Sequence, residues 1–279
     1  YYVSVRATDI AGNRSDLFSG DGILIDLTPP LLGTIHDGLN TDIDYTQSTT
    51  TLSANWTGFT DTVSNIVNYE VAFTDDTSRF DNIPSWDSVG LSSNYVIDTL
   101  SSLADQETYF FLIKATDLAG NVSNVFSSDG VTIDYGTPVS GIVYDGLAGD
   151  TDWTNSDSTL DISWSGFIDT VSGISSYEYA IGTTPGATNV LTWTESGVDT
   201  NVTVSNLDLI HDATYYGSVR ATDMVGHISP ISTSNGIVVD IFDPTVGAPN
   251  DGGPFDLDYQ GPSDTLGIYW SGNDTREIS

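Results

Sequence analysis

The sequence repeats itself at an interval of slightly more than one hundred residues. An octapeptide reads RATDIAGN at residues 6–13, returns as KATDLAGN at 114–121 and returns again as RATDMVGH at 220–227, at intervals of 108 and 106 residues. Solenoid repeats are only roughly 20–50 residues long, whereas a unit of this length is the size of a whole domain. The chain is therefore expected to fold as successive copies of one small domain.

Two other patterns keep the same interval and divide the chain into segments. They are an acidic string, Asp-Gly-x-x-x-Asp-x-Asp, that starts at Asp37, Asp145 and Asp251, and a tryptophan that recurs at Trp56, Trp164 and Trp270. This register predicts complete repeats at 31–137 and 138–243. It also predicts the C-terminal strands (F and G) of a truncated repeat at 1–30 and the N-terminal strands (A and B) of another at 244–279. Because strands cut in this way would leave unpaired edges, we expect the chain to be part of a longer array.

Charge and composition exclude several classes of protein. The chain has 39 acidic against 6 basic residues, and its formal charge of −33 repels nucleic acid and anionic membrane surfaces. It nevertheless contains 38% hydrophobic residues, which is typical of folded domains and not of a disordered acidic tail. It has no cysteine, so disulfides and thiolate metal sites are excluded. No apolar run reaches the roughly 18 residues of a membrane span. An acidic surface of this kind suits calcium or high salt, and we expect an extracellular or cell-surface location.

Apolar residues alternate with polar ones in several short segments, which is the pattern of strands with one buried face. The segments at 52–56, 160–164 and 266–270 are three copies of one strand that directs its tryptophan into the core. Two further inward-facing sets are predicted, and they consist of Tyr69, Val71 and Phe73 on one strand and Tyr109, Phe111, Ile113 and Ala115 on another. Turn residues recur about every ten residues and no segment has a helical period. The pattern predicts a β-sandwich of roughly seven strands in each repeat.

At these positions the sequence resembles fibronectin type III domains. The family signature, Leu followed by Tyr-x-(aromatic or aliphatic)-x-Val-x-Ala, is matched at Leu103, Tyr109, Phe111, Ile113 and Ala115, and again at Leu209, Tyr215, Val219 and Ala221. The resemblance implies an all-β chain of tandem fibronectin type III-like or Ig-like β-sandwiches. It further implies an A-B-E sheet and a C′-C-F-G sheet in each repeat, with Tyr109 and Tyr215 as corner tyrosines. Short linkers that contain proline predict an extended rod.

The Ala-Thr-Asp-x-Ala-Gly-Asn phrase and the acidic stretch also resemble repeats of very large bacterial surface and secreted proteins, especially adhesins. That resemblance implies a structural stalk or filament segment that spaces or multivalently presents an adhesive element. Its partners would be neighbouring repeats of the same long chain, further copies in self-assembly, or cell-surface glycans. The alternative is an accessory module of a secreted enzyme that binds glycans through an exposed aromatic such as Trp153. No enzymatic activity is expected, because the three histidines occupy unrelated positions in the repeat.

The acidic strings are the candidate metal sites. Three carboxylates within eight residues repel one another, and Ca²⁺ takes six to eight oxygen ligands, commonly from closely spaced aspartates. The candidate ligands are Asp37, Asp42, Asp44, Asp145, Asp150, Asp152, Asp251, Asp256 and Asp258. Asp26 and Asp134 are the nearest acidic residues that a preceding repeat could add. The sequence leaves open whether the strings bind structural calcium or are solvated acidic loops.

Other acidic and basic residues have structural interpretations. Asp117 is predicted to start a turn between strands F and G. Asp61 and Asp169 either cap the B–C loop or face a neighbouring domain, and capping is the favoured prediction. Lys114 is predicted to pair with Glu70 across strands C and F, and Arg220 is predicted to pair with Glu178 in the same way.

Overall fold

The computed structural model describes residues 1–76, 78, 83, 85–98 and 100–246, together with the backbone of the short strands at 250–251, 268–269 and 272–273. These residues form strands and turns, and no helix among them is long and apolar enough to cross a membrane. The chain divides into two compact units, residues 1–136 with 170–172 and residues 137–169 with 173–279. The predicted division into two complete and two truncated repeats stays a prediction.

The first unit contains eleven strands in the described residues. They are β1 (Ser4–Val5), β2 (Phe18–Ser19), β3 (Thr34–Asp37), β4 (Tyr45–Thr46), β5 (Leu52–Thr57), β6 (Ile66–Thr74), β7 (Asp87–Gly90), β8 (Asn94–Ile97), β9 (Thr108–Asp117), β10 (Phe126–Ser127) and β11 (Val131–Ile133). Strands β1 and β2 form a small antiparallel hairpin. The other nine build a sandwich.

Two sheets make this sandwich. One has the order β3-β5-β8 and the other has the order β4-β11-β9-β6-β7, with β10 also paired to β9. Strands β3, β5 and β8 correspond to A, B and E in the first sheet, and strands β6, β7, β9 and β11 correspond to C, C′, F and G in the second. The all-β, fibronectin type III-like architecture is therefore confirmed. The sequence did not predict β4, which pairs in parallel with β11 and extends the second sheet.

The core of the first sandwich lies between the two sheets, and the alternating residues fill it as predicted. Trp56 is only 3% exposed. Tyr69 packs edge-on against it at a centroid distance of 5.7 Å, and Phe59 contacts the same tyrosine at 5.6 Å. The second sheet contributes Val71 and Phe111, which are both buried in this core. Burial of aromatic and branched side chains on this scale is the main source of the stability of such a domain.

The second unit contains thirteen strands in the described residues. They are β12 (Ile142–Asp145), β13 (Trp153–Thr154), β14 (Thr159–Ser165), β15 (Ile174–Gly182), β16 (Leu191–Gly197), β17 (Asn201–Ser205), β18 (Thr214–Asp223), β19 (Ser232–Thr233), β20 (Ile237–Val239), β21 (Thr245–Val246), β22 (Asn250–Asp251), β23 (Ile268–Tyr269) and β24 (Gly272–Asn273). The two sheets of the second sandwich have the orders β12-β14-β17 and β13-β20-β18-β15-β16, with β19 also paired to β18. This topology is the same as in the first sandwich, and Trp164 is again 3% exposed in the core. Strands β21 with β24 and β22 with β23 form two further two-stranded sheets.

Both corner tyrosines have the predicted role. The hydroxyl of Tyr109 accepts a hydrogen bond from the backbone N–H of Ala104 at 3.1 Å, and the hydroxyl of Tyr215 accepts one from Ile210 at 3.0 Å. Each bond ties the start of strand F to the loop before it, which is how a corner tyrosine closes one end of the sandwich.

The predicted ion pairs are also confirmed. Glu70 lies directly opposite Lys114 in the pairing of β6 with β9, and Glu178 lies opposite Arg220 in the pairing of β15 with β18. The charged atoms are 3.4 Å and 2.8 Å apart, respectively. The strand register inferred from alternation is therefore correct in both sandwiches.

Candidate functional site

The first acidic string lies at the end of β3, where Asp37 is fully buried. Its Oδ2 accepts a hydrogen bond from the backbone N–H of Gly130 at 3.0 Å. Its own N–H donates to Oδ1 of Asp42 at 2.8 Å. Asp37 therefore joins strand A to the turn that leads into β11, 93 residues later in the chain.

The second acidic string is built in the same way. Oδ2 of Asp145 accepts from the N–H of Gly236 at 3.0 Å, and Oδ1 of Asp150 accepts from the N–H of Asp145 at 3.0 Å. Burial raises the pKa of both buried carboxyl groups, Asp37 and Asp145, to about 6, against the lowering effect of a serine hydroxyl and a glycine N–H. These two aspartates are structural links between strands.

Only part of each string is brought together. Oxygens of Asp37, Asp42 and Asp129 lie within 4.8 Å of one another, whereas Asp44 is exposed and is not among them. In the second sandwich Asn235 stands where Asp129 stands in the first.

The remaining candidates in the strings are exposed or only partly described. Asp152 is exposed. Asp256 and Asp258 lie outside the described residues, and only the backbone of Asp251 is described. Calcium binding by the acidic strings stays a prediction.

A second acidic cluster, which the sequence analysis did not identify, begins at the turn after β9. Oδ1 of Asp117 accepts from the N–H of Asn121 and Oδ2 accepts from its Nδ2, both at 2.8 Å. Gly120 in this turn has a φ of 91°, a left-handed conformation that favours glycine. The predicted turn role of Asp117 is confirmed.

Asp61 caps the B–C loop, as predicted. Its Oδ1 accepts three backbone N–H groups, from Val63 at 3.0 Å, Ser64 at 2.7 Å and Asn65 at 3.1 Å. All of these bonds end on one oxygen, which leaves Oδ2 outside the capping arrangement.

The third member is Asp26, in the segment that leads into the first sandwich. Its Oδ1 accepts from the N–H of Thr28 at 2.9 Å and from the Thr28 hydroxyl at 2.6 Å. Carboxylate oxygens of Asp26, Asp61 and Asp117 lie within 4.8 Å of one another. The sequence carries one sign that these three positions matter together, because each aspartate recurs one repeat later, at Asp134, Asp169 and Asp223.

Two carboxyl groups of this cluster, Asp26 and Asp117, have lowered pKa values and are therefore held in the charged form. The Ser64 hydroxyl beside Asp26 lowers the pKa of that carboxyl group, and the Thr28 hydroxyl and N–H add to the effect. Burial acts to raise the pKa of Asp117, but the two hydrogen bonds from Asn121 outweigh it and the pKa is lowered. The cluster is therefore anionic at neutral pH.

Each histidine lies beside an aspartate but not beside a nucleophile. The distances are 3.5 Å for His36 and Asp42, 3.5 Å for His211 and Asp240, and 3.1 Å for His227 and Asp223. In the part of the chain that the structure describes, no histidine ring is hydrogen-bonded to a serine or threonine hydroxyl, as a hydrolytic triad requires.

A cleft of about 450 Å³ lies beside β13 in the second sandwich. Trp153 forms one wall and is 47% exposed. Asp150 and Asp161 line the same cleft, together with Thr154. Ligand sites commonly combine an aromatic or apolar wall with a few polar groups, and this cleft has both.

Comparison with known proteins gives similarity of fold only. No protein-family model and no curated protein matches the sequence. Solved structures with a similar fold include the FN1-FN3 domains of chicken CNTN1, with 18% identity over 86% of this chain and 77% of that chain and a TM-score of 0.36. Domains A168-A170 of titin show 16% identity over 86% and 74% of the two chains, with a TM-score of 0.44. The fibronectin(III)-like modules of Clostridium thermocellum CbhA show 12% identity over 74% and 94%, with a TM-score of 0.38.

Proposed function

We propose that the chain is a structural stalk or filament segment of a large repetitive extracellular surface protein, which spaces or multivalently presents an adhesive element. The observation that carries this proposal is that both sandwiches repeat the same core, the same corner tyrosine and the same surface ion pair. A catalytic domain needs one site, whereas duplication of a whole domain with its surface suits mechanical or multivalent roles.

The linkers favour an extended arrangement of the repeats. The segments at 26–30 and 134–138 both end in proline, and both begin with an aspartate that accepts a hydrogen bond from the N–H two residues later, from Thr28 in one and from Gly136 in the other. Such segments are stiff and short. With strands of about eight residues at roughly 3.3 Å each, every repeat should advance the axis by about 30–40 Å.

Small-angle X-ray scattering of the 279-residue chain tests the rod. A compact domain of this length has a radius of gyration of roughly 19 Å. We expect a clearly larger value and a distance distribution with a long tail. A radius of gyration near the compact value would contradict the extended arrangement.

The cellular role is tested with antibodies raised against the purified chain. On intact cells of the source organism, immunogold labelling should lie on the surface and at a distance from the envelope. Brief protease treatment of intact cells should remove the label. Labelling that appears only after lysis would refute an extracellular stalk.

The second candidate function is that of a glycan-binding accessory module of a secreted enzyme, and the Trp153 cleft favours it. The test is co-sedimentation of the chain with insoluble polysaccharides, with Trp153→Ala compared to the wild type. Retention that is lost in this variant would support the accessory role. Equal retention of both proteins, or none, would argue against it. A soluble catalytic domain in the same polypeptide would favour the accessory role over the stalk.

A further inference from the structure

We propose that Asp26, Asp61 and Asp117 form a binding site for a divalent cation, with Ca²⁺ the ion that its chemistry fits best. This proposal goes beyond the stalk function and does not depend on it. The three residues come from the segment before the first sandwich, from the B–C loop and from the turn after strand F, and they are 35 to 91 residues apart in the chain.

The spacing of the oxygens suits one ion. Ca²⁺ binds oxygen at about 2.3–2.6 Å, so two oxygens on the same ion are at most roughly 5 Å apart. One carboxylate oxygen from each aspartate lies within 4.8 Å of the other two. Three separate segments of the chain therefore converge on a volume that one ion can fill.

Unsatisfied buried oxygens provide a second, independent observation. Asp26 is only 9% exposed, and its Oδ2 is buried without a hydrogen-bond partner. Oγ of Ser64 is also buried without a partner. The two atoms are close enough for the hydroxyl to affect the carboxylate, but they do not reach hydrogen-bond geometry. Leaving buried polar atoms unsatisfied is costly, and a cation coordinated by both would remove that cost.

Charge supports the same assignment. The ion pairs of Lys114 and Arg220 are made with glutamates on the sheet surface, and no ion pair in the described residues reaches Asp26, Asp61 or Asp117. Without a counter-ion, these carboxylates repel one another at short range.

The site also has a route to solvent and a ligand set that suits calcium. A cleft of about 290 Å³ opens beside Asp26 and Ser64. All the available donors are oxygens, whereas zinc sites use mainly histidine and cysteine. Three carboxylates and a hydroxyl in irregular positions, completed by water, match the flexible coordination of Ca²⁺ better than the near-ideal octahedron that Mg²⁺ requires.

Binding would have a structural consequence for the segment before the sandwich. Asp26 precedes the two prolines at 29 and 30, while Asp61 and Asp117 belong to the sandwich itself. An ion held by all three would fix this segment against two loops of the domain that follows it.

The test is calcium titration of the metal-free 279-residue chain by isothermal calorimetry. Asp26→Asn and Asp61→Asn both keep the Oδ1 acceptor that the loop hydrogen bonds use and remove one charge. Asp98→Asn is the matched control, because it removes the same charge from an exposed residue outside the cluster. We expect saturable binding by the wild type and the control, and one fewer ion in each cluster variant. The proposal is overturned if the wild type shows no saturable heat or if the cluster variants bind as many ions as the control.

A measurement on the wild type alone locates the ion even if a variant fails to fold. In ¹⁵N-labelled protein, Ca²⁺ should shift the amide signals of Thr28, Ser64 and Asn121, whose N–H groups donate to the three carboxylates. Mg²⁺ at the same concentration should shift them less. Shifts confined to residues 37–44 would assign the ion to the acidic string and overturn the proposal.

Discussion

Nζ of Lys114 lies 3.4 Å from Oε2 of Glu70. The same ammonium group lies 4.4 Å from the centre of the Trp86 ring, so it is held between a carboxylate and an aromatic face. Arg220 has the same two partners in the second sandwich, Glu178 and Trp193. The combination joins strands C, C′ and F on the outer face of the larger sheet.

We predict that Glu70→Gln lowers the free energy of unfolding of the first sandwich by about 0.5–1 kcal/mol, because the variant loses the ion pair with Lys114. A cross-strand ion pair that is partly exposed to solvent rarely contributes more than about 1 kcal/mol. Urea denaturation at low and high salt measures the effect, which should shrink in 1 M NaCl as the pair is screened. Glu107→Gln, at an exposed position, is the control and should change stability less. A salt-independent loss would show that the carboxylate acts through packing and not through its charge.

The corner tyrosines give a second prediction. Tyr109→Phe removes the acceptor for the backbone N–H of Ala104. Because Ala104 itself is exposed and water can replace the lost acceptor, we expect the loss of an ordinary hydrogen bond, about 0.5–1.5 kcal/mol in the first sandwich, measured by thermal unfolding, and a similar loss in the second for Tyr215→Phe. Tyr144→Phe is the control, because no hydrogen bond of its hydroxyl is described. A Tyr109→Phe variant as stable as this control would show that the corner bond contributes nothing.

The buried aspartates predict an unusual pH dependence. The pKa of Asp37 is raised to about 6 in the folded protein, compared with about 3.9 in an unfolded chain. The folded state therefore holds the proton more tightly. The stability linked to this group is fully present below about pH 4 and is lost as the pH rises through about 6. The full loss is up to about 3 kcal/mol, and Asp145 should contribute in the same way.

The measurement is the difference in unfolding free energy between the wild type and Asp37→Asn from pH 3.5 to 7.5, in the presence of chelator. Asparagine keeps an oxygen acceptor for Gly130 but does not titrate. The variant should gain stability relative to the wild type as the pH rises from 4 to 6. A flat difference, as expected for the exposed control Asp98→Asn, would mean that Asp37 titrates normally.

The sheet surfaces and the core could be predicted because they depend on local alternation. Once Tyr69 and Ile113 are assigned to the inner face, Glu70 and Lys114 must face outward, and the family resemblance makes strands C and F neighbours. Repetition of the pattern in a second domain removed the remaining ambiguity of register.

The Asp26 cluster could not be predicted in the same way. Its members lie in turns, where their residue types have sufficient local explanations, such as the Asp61 cap and the Asp117 turn. Their convergence depends on how three loops close at one end of a sandwich. Likewise, nothing local indicates that Asp37 reaches Gly130 across 93 residues. Alternation determines which face a residue occupies but not which distant loop it meets.

One core exchange between the two sandwiches leads to the last prediction. In the first sandwich strand B carries Ala54 and strand F carries Phe111, whereas the equivalent positions in the second carry Ile162 and Gly217. Ala54, Phe111 and Ile162 are fully buried, at 0%, 0% and 1% exposure. A Cβ built on Gly217 would lie 3.0 Å from Cγ2 of Ile162. In the second sandwich the large side chain is on strand B and the small residue is on strand F, whereas in the first sandwich the large side chain is on strand F and the small one is on strand B.

Because interiors are close-packed, the two positions should be coupled. Ile162→Ala leaves a cavity and should cost the second sandwich about 2–5 kcal/mol. Gly217→Phe overfills the same space, since even a Cβ is 3.0 Å from Ile162, and should cost at least about 1–3 kcal/mol. The double variant recreates the alanine and phenylalanine pair of the first sandwich, so its cost should be well below the sum of the two. A double-mutant cycle by urea denaturation measures the coupling. Additive costs would show that the two positions do not share one packing space.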